Sequence, residues 1–194
     1  MSALSPELIA ALVAAPAVIV AGWWGWRRWR AHAARRAQLR AVRSVAFDSL
    51  QDVLVPDGSG GTLHVDFLLL TSRGVLVVDF RDVAGVIFGS EHMNDWTVMS
   101  PARRFTFPNP LGPLFDRVAA VKLATGERAV EGRVVFSDRG QFPKGRPPQV
   151  LLLSSLQAEF PAADRDAGSA AIEQWRAGWD RLKGQCAPSP LGRS

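Results

Sequence analysis

HVDFLLLTSRGVLVVDFRD, His64 to Asp82, holds two apolar runs of strand length on either side of TSRG, a turn-forming tetrapeptide. Charges seldom sit within such runs unless they are paired or bind a cation. Asp66 nevertheless interrupts the first run, and Asp79 and Arg81 close the second. A hairpin closed with two or four loop residues pairs Leu70 with Val75 and carries the register down to Asp66 opposite Asp79. Arg81 shares their face, because side chains two apart on a strand point the same way. Two facing carboxylates repel, so positive charge must lie between or beside them. A hard divalent cation such as Mg²⁺ meets that need, and so does Arg81 through ion pairs.

Outward from the hairpin, a helix is expected from about Arg35 to Val53, where Leu39, Val42, Ala46 and Leu50 recur at three and four. PDGSGG (Pro56 to Gly61) reads as a loop. Strands are expected at about Thr62 to Leu70 and Val75 to Arg81. GVIFG (Gly85 to Gly89) and DWTVMS (Asp95 to Ser100) follow as short strands. A helix begins near Pro113 with Leu114, Val118 and Val121 on one face. GRVVFSD and QVLLLSS read as strands, and QFPKGRPP as an extended loop. Ser169 to Gly184 is an amphipathic helix with Ile172, Trp175, Trp179 and Leu182 along one side, and the tail APSPLGRS is expected to be loose. The expected class is α/β, one mixed sheet flanked by helices and preceded by a single transmembrane helix. Residues 1–30 would form the anchor, 31–160 the α/β domain, and 161–194 the closing helix and tail.

The anchor rests on LIAALVAAPAVIVAGWWGW, residues 8–26, which carry no charge. As a helix this run spans about 28 Å, close to the roughly 30 Å of bilayer hydrocarbon. Trp23, Trp24, Trp26 and Trp29 gather at its end, where an interfacial aromatic belt belongs. RRWRAHAARRAQLRAVR (Arg27 to Arg43) then brings seven arginines and no acid. The positive-inside rule puts that side in the cytoplasm, giving a single-pass protein of the cytoplasmic (inner) membrane with its N-terminus outside. A cleaved signal peptide would need the basic region first and small residues after.

The formal net charge of +5 is local to that arginine run; beyond it acids and bases nearly balance. Charge therefore gives no argument for a surface that coats nucleic acid throughout. One cysteine, Cys186, cannot form an internal disulfide, and no Cys/His group has zinc spacing.

HVDFLLLTSRGVLVVDFRDVAGVIFGSEHMNDWT and RFTFPNPLGPLFDRVAAVK resemble the nuclease-related domain, NERD, across about Val42 to Phe136. The resemblance implies a fold like that of the restriction-endonuclease-like PD-(D/E)xK enzymes. In those, an acid on one strand and acid-x-lysine on the next bind metal for phosphodiester cleavage. Residue by residue, Asp66 takes the first acidic place, Asp79 the second, and Arg81 stands where the family has lysine. The implied catalytic set is Asp66, Asp79 and Arg81, with Asp66 and Asp79 as metal ligands. Phe67 stands where histidine is frequent, and Gly112-Pro113 where glutamine often follows NPL.

Arginine is always charged and cannot act as a base. It can stabilise a pentacovalent phosphate, or its fork can tie down both aspartates without metal. The leading expectation is a degenerate site with no cofactor and a binding role at the cytoplasmic membrane face. Its candidate partners are the membrane and either nucleic acid or an unidentified protein. The runner-up is an active nuclease using Mg²⁺, and a structural membrane-associated module is the third reading.

Elsewhere, Arg103 and Arg104 in RRFTF, and Lys144 and Arg146 in FPKGRPP, suit phosphate but read first as solvated charge. His64 and His92 look isolated, Trp96 reads as a core aromatic, and GSGG lacks the setting of a nucleotide-binding loop.

Overall fold

TSRG closes as a two-residue turn in the computed structural model of the protein, which describes residues 23–24, 26–30, 33–101, 103–161 and 169–190. Strands β2 (Thr62–Thr71) and β3 (Gly74–Arg81) pair antiparallel from Thr71–Gly74 to Phe67–Val78, in the register the sequence implies. The turn needs its glycine. Gly74 has φ 117°, and a Cβ there would lie 2.1 Å from the Ala129 carbonyl oxygen.

Around this hairpin stands a six-stranded sheet in the order β10 (Ala187–Pro188), β1 (Asp48–Pro56), β2, β3, β7 (Val130–Phe136), β9 (Val150–Leu152). β7 runs parallel to both β3 and β9, so each pair needs a long crossover. A four-stranded sheet is ordered β6 (Arg104–Pro108), β5 (Asp95–Met99), β4 (Gly85–Phe88), β8 (Gly140–Gln141); the connection from β3 to β7 supplies β4, β5 and β6, and the one from β7 to β9 supplies β8. The connection from β3 to β7 also carries helix α2 (Leu111–Thr125). Helices α3 (Leu153–Glu159) and α4 (Ser169–Gln185) follow β9. The fold is mixed α/β, its sheets flanked by helices.

Four expectations need correction. The first helix, α1, ends at residue 43, and Asp48–Pro56 is strand β1 rather than its continuation. The three-and-four recurrence was satisfied by chance, since Val53 and Val55 enter the core at a spacing of two. There are two sheets rather than one, because RFTFP supplies β6, which pairs antiparallel with β5 in a second, mixed sheet. Ser154 and Ser155 lie in α3, so β9 is shorter than QVLLLSS suggested. The tail is not loose at its start. Ala187 and Pro188 pair with Leu54 and Val53, and the Ser189 N–H donates to the Asp52 carbonyl at 2.8 Å.

One apolar cluster joins these layers. It includes Val53, Val65, Leu68, Val77 and Val134 from the larger sheet, Trp96 and Val98 from the smaller, Leu114 and Val121 from α2, and Trp179 and Leu182 from α4. Burying side chains of this size stabilises each by roughly 1.5–3 kcal/mol.

The chain divides into two units, residues 1–40 and 41–194. In the first, the described residues are helical, and Trp23, Trp24, Trp26 and Trp29 are exposed. Arg27 lies over the Trp23 ring at 4.6 Å and Arg30 over Trp26 at 4.8 Å. Most of the expected anchor, residues 8–22, falls outside the described residues; among those described, no helix is long and apolar enough to cross a membrane.

Candidate functional site

Asp79 and Arg81 continue along β3 on the face that Val75 and Val77 give to the core, where α2 packs. That placement buries Asp79 to 3% exposure. A carboxylate so enclosed must be compensated. Arg81 places Nε 2.8 Å from Asp79 Oδ1, and its Nη2 donates to Oδ2 at 2.9 Å. A second guanidinium arrives from α2, with Arg117 Nη1 donating to the same Oδ2 at 3.1 Å. Arg117 Nε also donates to the His64 carbonyl at 2.6 Å, tying α2 to β2. Arg117 was missed in the sequence. The available signal was its spacing, three residues after Leu114 and four before Val121, which puts a charge beside the buried stripe of α2.

Asp66 has a different setting. The β2–β3 ladder ends at Phe67–Val78, and the Asp66 Oδ2 instead accepts the Phe80 N–H at 2.9 Å. On the other side, Gln51–Phe67 and Val53–Val65 bracket Asp52 opposite Asp66. Asp52 has φ 51°, a left-handed conformation uncommon for a residue with a Cβ. The parity of core residues changes here: Val53, Val55 and Val65 contribute on one side of the irregularity, Leu50, Leu68 and Leu70 on the other. The strands thus twist at Asp52 and Asp66, which frees both carboxylates from the regular alternation.

Burial pushes the Asp66 carboxyl above its usual range, and the nearby Asp79 charge adds to the rise. The Phe80 N–H, His64 and Arg81 oppose it without cancelling it. Among the described residues, Asp66 has no arginine or lysine as close as those beside Asp79. It faces His64, whose Nδ1 lies 3.5 Å from Asp66 Oδ1, while His64 Nε2 lies 3.8 Å from Asp52 Oδ1. His64 is therefore not isolated, because pairing of β1 with β2 brings Asp52 to it from outside the hairpin.

A Mg²⁺ ion shared by Asp66 and Asp79 does not fit this arrangement. It would need oxygens at about 2.0–2.1 Å in near-octahedral array. Both Asp79 oxygens already face guanidinium nitrogens, and a bound cation would have to displace two like charges.

The remaining candidates separate cleanly. Trp96 is fully buried among Phe107, Phe136 and Phe142, so it is a core aromatic. Its Nε1 donates to the Ser90 carbonyl. Asn109 of NPL organises the same loop, its amide reaching the carbonyls of Ser90, Glu91 and Met93 while its Oδ1 accepts the Leu111 N–H at the start of α2. That motif is therefore architectural in its contacts. Arg103 lies over the Phe105 ring, and His92, Lys144 and Arg146 are exposed and line an open cleft of about 360 Å³ with Ser90 and Glu91.

No solved structure matches the chain. A Bacillus anthracis protein described as uncharacterized is 29% identical over 73 residues, covering 38% of this chain. The chain spans about a third of the length of that curated relative, 34%. The family model described as the nuclease-related domain, NERD, matches residues 28–137, more than half of the sequence, and the chain belongs to that family.

Proposed function

We propose that this NERD protein is a degenerate member of the restriction-endonuclease-like enzymes, held at the cytoplasmic membrane by residues 8–26 and acting there by binding nucleic acid. The observation that carries the reading is the double guanidinium pairing of Asp79. A nuclease of this plan needs that carboxylate free for a metal, and needs a base that Arg81 cannot supply. Two arginines convert the position from a metal ligand into a structural ion pair. Arg81 retains 41% side-chain exposure, and Lys144 and Arg146 line an open cleft elsewhere on the domain, so cations remain for phosphate contacts. Exposed tryptophans alternating with arginines in residues 23–30 support the membrane placement.

The full chain, kept in mild detergent, should be mixed with labelled DNA and RNA, with Mg²⁺ or Mn²⁺ present, and followed by anisotropy and by gel. Salt-sensitive binding with intact strands is expected. Cleavage that stops on chelation and in Asp79→Asn would instead establish an active metal-dependent nuclease.

A further inference from the structure

We propose that the cation site of this chain has moved one strand over, to a divalent transition-metal site built from Asp52, His64 and Asp66. The inference rests on the reading that Arg81 and Arg117 neutralise Asp79. Given that, Asp66 has no lysine or arginine in an ion pair among the described residues, and neither has Asp52. Asp52 and Asp66 face each other and the His64 imidazole, and Asp52 Oδ2 also accepts from Gln51 Nε2 at 2.9 Å.

The geometry suits one ion. One donor atom from each of the three residues lies within 4.8 Å of the other two. His64 Nδ1 lies 3.5 Å from Asp66 Oδ1 and its Nε2 lies 3.8 Å from Asp52 Oδ1, so each ring nitrogen faces one carboxylate. Tetrahedral bonds of about 2.0–2.2 Å set neighbouring donors roughly 3.4 Å apart, so an ion held by one ring nitrogen draws the carboxylate that faces the other nitrogen toward it.

A second observation concerns the nitrogen itself. His64 Nε2 is enclosed by protein atoms and has no hydrogen-bond partner among the described residues. Enclosed polar atoms are nearly always satisfied, and one left over calls for an explanation. An imidazole nitrogen beside two carboxylates is a donor set for Zn²⁺, Mn²⁺, Fe²⁺ or Co²⁺, whereas Mg²⁺ prefers oxygen alone. All three side chains keep between 26 and 30% exposure, leaving room for an ion to enter and for water to complete its shell.

The test uses the metal alone. The full chain in detergent, stripped by chelation, is titrated with Zn²⁺ in a calorimeter, and Co²⁺ binding is followed by its visible absorption. One saturable site is expected. His64→Gln and Asp52→Asn should each weaken Zn²⁺ at least as much as losing an outer-shell partner does, roughly 10- to 100-fold. Asn tolerates the left-handed backbone at position 52, so the second variant reports even where the first folds poorly. Asp79→Asn should keep the saturable Zn²⁺ site, since Asp79 is not among its ligands. Absence of a saturable site, or binding indifferent to both variants, overturns the proposal and leaves the arginine-paired Asp79 standing. Binding lost in Asp79→Asn and kept in His64→Gln puts the ion between Asp66 and Asp79, and overturns both readings.

Discussion

Asp66 and Asp79 occupy matching places on adjacent strands but respond oppositely to loss of charge. Asp79 is buried between two guanidinium groups, and removing its charge strands them. Since both arginines keep some exposure, Asp79→Asn should destabilise by about 1–3 kcal/mol, less than a fully buried pair, as measured by urea unfolding. Asp66 is held where its charged form is disfavoured. Its folded pKa lies above the unfolded value, so its contribution to stability falls as pH rises from near 3.8 through the raised folded value. Asp66→Asn should therefore be neutral or stabilising near pH 7 and should flatten that slope. A loss comparable to that of Asp79→Asn would refute the asymmetry. Cys186 gives a simpler check, because burial pushes its thiol up to about 11. Reaction with a thiol reagent near pH 8 should be far slower in the folded chain than in urea. At this scale the hairpin register made Asp66, Asp79 and Arg81 legible, because a period of two and one turn fix them. Arg117 and Asp52 were not, since tertiary packing delivers the first and the second sat inside a misread helix.

The elements show where local pattern misleads. DSLQDVLVP fits a helical recurrence as well as a strand, and pairing with both β2 and β10 decides for the strand. RFTFP alone is too short to assign, and its partner β5 gives it meaning. The closing helix was legible, because seventeen residues carry one apolar stripe. Trp179 anchors it, fully buried and donating from Nε1 to Asp48 at 2.8 Å. Burial works to raise the Asp48 carboxyl, but Trp179, Lys183 and the Ser49 N–H outweigh it and the net shift is downward. Trp179→Ala should cost about 3–5 kcal/mol and release α4 from β1 and α2, with increased amide exchange across both. Trp179→Phe keeps most of the apolar contact and should cost about 0.5–1.5 kcal/mol. Equal losses in the two variants would show that packing contributes little.

The whole molecule combines a charge-free run, an arginine belt and a near-neutral α/β unit. A reporter fused after Ser194 should behave as cytoplasmic, and the protein should stay with membranes through high-salt and alkaline washes. Release into the soluble fraction would contradict the anchor. The family and the mixed α/β class were legible because the hairpin and α2 carry the family pattern within one stretch. GVIFG and DWTVMS were legible as strands, but their membership of a second sheet was not, because the short partners β6 and β8 are assigned only by pairing with them. The central claim is that guanidinium groups hold the place of a metal at Asp79. Calorimetric titration of Mg²⁺ into the full chain tests it most directly. The account predicts that Asp79→Asn leaves the Mg²⁺ heats unchanged, with no saturable site dependent on this carboxylate. Saturable Mg²⁺ binding that disappears in Asp79→Asn would contradict it.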